Sequence, residues 1–208
     1  MFISNSRDFI YFHVPKCGGN SITKALTNSS RFVDLPISNI GFGHEIFRQY
    51  HKKYKIWKHS SVSQIKELLG PQWRKYKKFA FVRSPYERTK SLFKYFNKYP
   101  EQKQHKQFSL ESLKSFISCQ AFRNGQYISA PISSFLDTDL ESIRIIKLEN
   151  ITDEWPDLND WLGLPYHELK VFNQSKSMSL ELDPEDIQII EEVYSNDFES
   201  FAYNKTHE

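Results

Sequence analysis

The feature that most constrains this chain is the stretch Phe9 to Ile22, FIYFHVPKCGGNSI. Four apolar or aromatic residues, Phe9 to Phe12, lead through His13 and Val14 into Pro15, Lys16 and Cys17, and the pair Gly18-Gly19 follows. A short apolar run bounded by turn residues reads as a buried parallel strand. The glycines let the backbone turn tightly and hold out its N–H groups with no Cβ in the way. Asn20 or Ser21 is then a natural cap for a helix running on through Ile22, Ala25 and Leu26. Strand, glycine turn and helix start together make an anion cradle, with amides and the positive end of the helix dipole aimed at one spot. Lys16 adds a full charge there. The stretch does not satisfy the nucleotide triphosphatase loop GxxxxGK[ST], because its lysine precedes the glycines. For this stretch alone, a plain strand-to-helix turn with an exposed lysine is the bland alternative.

The rest of the chain alternates strand and helix patterns. Arg31 to Leu35 (RFVDL) reads as a second short strand and residues 36–43 as a loop; 44–54 is polar and basic without a clear pattern. Ser60 to Gly70 has helical spacing at Val62, Ile65, Leu68 and Leu69, a serine cap, and Gly70-Pro71 as its stop. Lys77 to Val82 (KKFAFV) is a second buried-strand candidate, and Pro85 suits the first turn of a helix with Thr89, Leu92, Phe93 and Phe96 on one face. A polar loop at 97–107 precedes another amphipathic pattern at Leu110, Leu113, Phe116 and Ile117. Ile143 to Leu148 is a third strand, and Asp183-Pro184 opens a last helix with Ile187, Ile190, Val193 and Tyr194 inward. This alternation predicts an α/β domain with a mainly parallel sheet. No internal repeat or linker composition appears, so residues 1–208 read as one domain.

Composition narrows the function classes. With 25% charged and 39% hydrophobic residues, the chain is neither disordered nor membrane-embedded. The net charge of +3 permits an anionic ligand without demanding nucleic acid, and none is expected as a partner. Two cysteines, Cys17 and Cys119, cannot build a disulfide framework or a zinc site, which favours a reducing compartment. No run approaches the ~18 apolar residues of a membrane span. The chain therefore reads as soluble and cytoplasmic, with a lumenal domain trimmed from its anchor as the alternative.

The segment FAFVRSPYERTKSLFKYF repeats the strand–turn–helix logic without a glycine loop. Arg83 falls just past the strand, and Ser91 lies eight residues later on the following helix. Ligands of open α/β sheets bind at the carboxyl ends of strands, so parallel neighbouring strands would send Lys16 and Arg83 to the same edge. A guanidinium with a helix hydroxyl suits a phosphate with several acceptor oxygens.

The pair PKCGGNSI and FAFVRSPYERTKS resembles the carbohydrate-type sulfotransferases, particularly sulfotransferase family 2 with its heparan and uronyl 2-O-sulfotransferase-like enzymes. The resemblance implies a single three-layer domain with the P-loop NTPase-like sulfotransferase fold. It also implies 3′-phosphoadenosine 5′-phosphosulfate (PAPS) as donor, a glycan or glycolipid hydroxyl as acceptor, and no metal. Lys16, Cys17, Gly18, Gly19, Asn20 and Ser21 would hold the 5′-phosphosulfate, and Arg83 and Ser91 the 3′-phosphate. A weaker likeness covers Leu148-Glu149-Asn150, the loop from Asn173 to Lys176, and Asp197 through Tyr203; Lys176 would close over the donor. Cys17 stands where threonine is common, Asn20 where threonine or serine is common, and Ser84 where histidine or asparagine is frequent.

Sulfuryl transfer needs in-line geometry and stabilisation of charge on the leaving phosphate, a task for Lys16. The acceptor hydroxyl needs a base. Histidine titrates near neutrality, and His59, ahead of the helix that leads to the Arg83 strand, stands about where the family has its base. His44 and Glu45 are the rivals, and His13, within the strand leading to the cradle, reads as structural. Lys98, Lys103 and Lys106 in the polar loop, with Arg123 and Gln126, are candidates for acceptor contact, a solvated surface being the plainer reading. The competing classes are a nucleotide-dependent kinase, which would want a lysine after the glycines and acidic magnesium ligands, and a non-catalytic nucleotide-binding protein.

Overall fold

The apolar runs at 9–12 and 77–82 become neighbouring strands in a five-stranded sheet. The structure, a computed structural model, describes residues 1–38, 43–165, 169 and 180–206. Its strands are β1 (Phe2–Ser4), β2 (Phe9–Phe12), β3 (Leu35–Pro36), β4 (Lys77–Val82) and β5 (Arg144–Lys147). Its helices are α1 (Gly19–Asn28), α2 (Gly43–Tyr54), α3 (Val62–Leu69), α4 (Pro85–Lys98) and α5 (Leu113–Ser118). They continue with α6 (Gln120–Arg123), α7 (Ile151–Leu162), α8 (Pro184–Val193) and α9 (Ser195–Ser200). The chain divides into two compact units, one of Met1–Val82 and Phe135–Phe172, the other of Arg83–Ser134 and Asn173–Glu208.

The first unit holds the whole sheet, in the order β3-β1-β2-β4-β5. β2 pairs with β4 and β4 with β5 in parallel, while β1 runs antiparallel to both β2 and β3. Four of the five strands therefore point the same way and β1 alone is reversed. All four residues of β2 and the last five of β4 are buried, as expected for strands covered on both faces. Aromatic rings fill the layer: Tyr11 lies opposite Phe79 in the ladder and stacks on it at 5.1 Å, and Phe2 stacks on Phe9 at 5.8 Å.

The expected strand at 31–35 shrinks to Leu35–Pro36 because Asp34 is spent on a turn. Its carboxylate accepts from the amides of Ser6 and Arg31, at 2.9 and 2.8 Å, and from the hydroxyls of Ser4 and Ser6. Burial alone would raise this carboxyl, but those four bonds outweigh it and hold its pKa below the ordinary value. β1 has three residues, too few for a periodic signal, and sequence reasoning did not find it. α3 forms as expected, capped by Ser61 in a reciprocal box with Gln64 and stopped by Gly70. α2 resolves the uncertain stretch at 44–54, and α7 was hidden by Pro156 within it.

The second unit packs around α4, which begins at Pro85 and buries Thr89, Leu92, Phe93 and Phe96 as the pattern predicts. Phe108, Phe116, Phe122, Tyr194 and Phe198 join the last three in one core. α8 opens at Asp183 with Pro184 at its first position. It turns Ile189, Ile190 and Tyr194 inward, whereas Ile187 and Val193 are only half-buried. Arg88 is fully buried: Nη2 donates to the carbonyls of Ile128 (2.9 Å) and Ala130 (2.7 Å), and the guanidinium lies 5.3 Å from the Tyr194 ring. Tyr194 donates to the Ser129 carbonyl at 2.8 Å, and burial pushes its phenol up to about 12. Among the described residues, no helix is long and apolar enough to cross a membrane.

Candidate active site

β2 delivers the chain to the cradle. After Phe12, Lys16 takes a left-handed conformation with φ of 66°, which costs a non-glycine residue on the order of 1 kcal/mol. Gly18 follows with φ of 76° and stands at the cap of α1, which starts at Gly19; the cap thus falls two residues ahead of Asn20 and three ahead of Ser21, the two expected. The Gly18 carbonyl accepts from Ser21 N (3.1 Å) and Ile22 N (3.4 Å), closing the first turn without a side-chain cap. Neither Asn20 nor Ser21 caps this helix; Asn20 is exposed and Ser21 is buried within it. A helix start holds out its first N–H groups, here those at the glycine pair, and they are what an anion would meet.

The two glycines are needed for different reasons. A Cβ on Gly18 would lie 2.7 Å from Leu148 Cδ1, at the end of β5, besides facing a positive φ. A Cβ on Gly19 would fall 1.9 Å from Nε2 of His13. Cys17 is fully buried beneath the turn, with its thiol 3.5 Å from the Pro15 carbonyl, so it lines the cradle from below. Lys16 is half-buried.

His59 lies in the same unit, two residues before the cap of α3, and is 7% exposed. Its Nδ1 is 2.6 Å from the backbone carbonyl of His13. A carbonyl only accepts, so Nδ1 carries the proton and Nε2 keeps its lone pair. The His13 ring meets the His59 ring edge-on at 4.7 Å, and Trp57 meets it at 5.3 Å. Burial lowers the pKa of His59 well below its ordinary value, and the charges of Lys58, the Met1 amine and Lys16 lower it further, against the His13 bond that raises it. His13 is lowered well below its ordinary value too, first by burial and then by the Met1 amine, His59, Lys58 and Lys16. Both rings are therefore neutral near pH 7 and sit in a positive field. Sequence reasoning named Lys16 and His59 but missed Lys58, whose own pKa is lowered by burial; it named Leu148 on resemblance alone, and no local signal could place it over Gly18.

In the second unit, Arg83 lies two residues before α4, and Glu87 and Ser91 follow on the helix at four-residue spacing. The Arg83 guanidinium pairs with Glu87 at 3.6 Å, and Lys90 pairs with the same carboxylate at 2.9 Å. Glu87 is thus a part of this segment that the sequence reading passed over, although its spacing from Arg83 made the pair legible.

The remaining candidates separate. His44 and Glu45 are exposed on α2, and Glu45 lies 3.8 Å from Arg48. Lys98, Lys103 and Lys106 are exposed, and Arg123 is spent on the Ser118 carbonyl at 3.2 Å. Asp197 is buried and accepts from the amides of Ile132 (2.7 Å) and Ser133 (2.8 Å), a structural staple of its unit. Lys176 and its loop lie outside the described residues. No group of side chains able to hold a metal ion occurs among the described residues.

One unit thus holds a glycine turn that opens α1 at the end of a parallel strand and a neutral histidine of fixed tautomer. The profile of the sulfotransferase family matches residues 1–204, and the chain belongs to that family. Sulfuryl transfer is accordingly its general chemistry. No curated protein and no solved structure matches the chain.

Proposed function

We propose that residues 1–208 work as one sulfotransferase domain that moves the sulfuryl group of PAPS to a hydroxyl of a glycan or glycolipid. The observation that carries this reading is the pairing, within one unit, of the Lys16–Gly19 cradle with a His59 whose Nε2 lone pair is available at neutral pH. The family match supports PAPS as donor, since the family generally uses it. The helix start, Lys16 and Lys58 suit the anionic end of such a donor, as both lysines lend positive charge to the same histidine pair.

In this mechanism the amides from Gly18 to Asn20 hold the 5′-phosphosulfate, and Lys16 offsets the charge that grows on the bridging oxygen as the bond to sulfur breaks. His59 Nε2 takes the proton of the acceptor hydroxyl as the new bond forms, a role worth about 10²–10⁴-fold. Arg83 and Ser91 hold the 3′-phosphate, and Lys176 closes over the donor, the last on resemblance alone. The two free cysteines, Cys17 and Cys119, accord with a cytoplasmic location.

The test is calorimetric titration with 3′-phosphoadenosine 5′-phosphate, the desulfonated product, against ADP and ATP–magnesium. Preference for the 3′-phosphorylated nucleotide, lost in Arg83→Ala, supports both halves of the reading. Preference for ATP–magnesium replaces it with a kinase, and binding without transfer to any glycan acceptor leaves a nucleotide-binding protein.

A further inference from the structure

We propose that His13, in the strand-to-cradle connection, is the positioning residue of the His59 base: its carbonyl fixes the tautomer and its ring fixes the orientation. The inference rests on the reading of His59 as base, and three contacts on one residue carry it. The His13 carbonyl receives Nδ1 of His59 at 2.6 Å, which leaves Nε2 as the basic atom. The His13 ring abuts the His59 ring edge-on at 4.7 Å, so the base cannot tip toward β2. The same ring fills the space a side chain would take on Gly19, with Nε2 1.9 Å from the absent Cβ.

His13 is therefore wedged between the first residue of α1 and the base. It transmits the position of the cradle to His59 through rigid contact, and a glycine at 19 is the condition for it. The ring works by shape: its Nδ1 is buried with no hydrogen-bond partner among the described residues, a cost that a packing role tolerates and a hydrogen-bonding role at that atom would not leave standing. The charged and titratable groups that act on His59 are Lys58, the Met1 amine and Lys16, with His13 itself as the neutral neighbour. Lys58 and Lys16 are the cations of this set, whereas burial pushes the Met1 amine well below its ordinary value, so the ring's exclusion of water adds to a field from the two lysines that already disfavours the imidazolium.

His13→Ala and His13→Phe separate these roles. In His13→Ala, water reaches His59, its titration midpoint moves up toward that of an ordinary histidine, and the acid limb of kcat/KM moves up with it. The turnover falls by about 10²-fold, as for a misplaced catalytic group, while KM for the donor changes by no more than about threefold. His13→Phe, which keeps a ring of similar thickness, restores most of the turnover. The proposal is overturned if a folded His13→Ala leaves both the His59 midpoint and kcat unchanged. It is also overturned if His13→Phe is as inactive as the alanine variant with His59 titrating normally. Should the alanine variant not fold, nitrogen NMR of the unmodified protein decides. His59 protonated on Nδ1 and neutral at pH 7 is the expected result, and protonation on Nε2 sinks the proposal. These NMR readouts need no donor or acceptor, so they hold or fail apart from the proposed activity.

Discussion

The turn at 13–21 offers an anion backbone amides fixed by glycine geometry, whereas the segment at 83–91 offers side chains that already have partners. In the first, Gly18 and Gly19 are pinned by Leu148 and His13, and the helix start is set before any ligand arrives. In the second, Arg83 and Lys90 share Glu87, whose place a phosphate would take under the proposed function. The exchange is inexpensive. An exposed ion pair is worth about 0–1 kcal/mol. A hydrogen bond to a charged group is worth about 1.5–3 kcal/mol. Under the proposed function, the rigid cradle serves the reacting end and the exchangeable cluster serves recognition.

The largest effect tests the rigid side. His59→Ala lowers kcat by about 10³-fold while the product nucleotide binds within about threefold of normal, because the base acts only on the acceptor. Rapid-quench turnover with calorimetry checks both numbers. Near-normal turnover in a folded variant would shift the base to His44 or Glu45 and erase the functional meaning of the His13–His59 pair. Gly19→Ala comes next: its Cβ must displace the His13 ring, which costs about 1–3 kcal/mol of stability by overpacking. Nucleotide affinity falls with it, by about tenfold or more, since the amides shift with the turn. Unchanged thermal stability and affinity would show that the cradle is softer than the contrast requires.

Arg83→Ala tests the exchangeable side. Affinity for the 3′-phosphorylated nucleotide drops about 10–100-fold, the worth of charge-assisted bonds, while ADP affinity stays put. An equal loss for both nucleotides would mean that the arginine supports the fold and not recognition. Arg88, four residues before the turn of helix that carries Leu92, is the built-in control, because its fully buried guanidinium already serves two carbonyls.

The same contrast explains what the sequence made legible. β4, α3 and the start of α4 were readable because local pattern and cap agree with the final packing: KKFAFV is buried from Lys78 onward, Ser61 caps, and Pro85 opens, although α4 runs on to Lys98, two residues into the expected polar loop. The cradle was legible as a turn, but the cap was misassigned to Asn20 or Ser21. A left-handed Gly18 ends the turn two residues sooner than side-chain propensity suggests. What stayed hidden depends on distant segments. His13 acquires its place only when residue 59 returns to it, 46 positions on. β3 was overestimated because Asp34 forms bonds to β1 and its turn that no strand pattern foretells.

Titration sharpens the comparison from the stability side. His59 and His13 both have folded pKa values lowered from 6.5, so the unfolded chain binds more protons than the native one just below that value. Their contribution is fully present above pH 6.5 and is lost as pH falls from there toward the depressed native values. Asp34 has the same sign in a lower window: its contribution is present above its ordinary 3.8 and is lost as pH falls from there through its lowered native pKa. Thermal unfolding should therefore weaken below pH 6.5 by a few degrees, at about 2–4 °C per kcal/mol for a chain of this size. Replacing His59 and His13 with non-titrating residues should flatten the upper part of that slope and leave the acidic part. A slope that survives both replacements would place the sensitive protons elsewhere.

The smallest effect is the most discriminating. Glu87→Gln removes the carboxylate that competes with a phosphate for Arg83 and Lys90 but keeps the length and polarity of the side chain. If the segment works by exchange, the variant binds the 3′-phosphorylated nucleotide about two- to fivefold more tightly, since an exposed pair of this kind is worth less than about 1 kcal/mol. ADP affinity does not change, and the gain shrinks as salt screens both the pair and the ligand. Weaker binding would mean that Glu87 holds Arg83 in a productive pose, making the second region as preorganised as the first. Tighter binding of ADP and of the 3′-phosphorylated nucleotide alike would show only that the surface had become more positive. The sign of the change in Glu87→Gln, read by calorimetry at two salt concentrations, thus decides whether the two regions differ in kind or only in their materials.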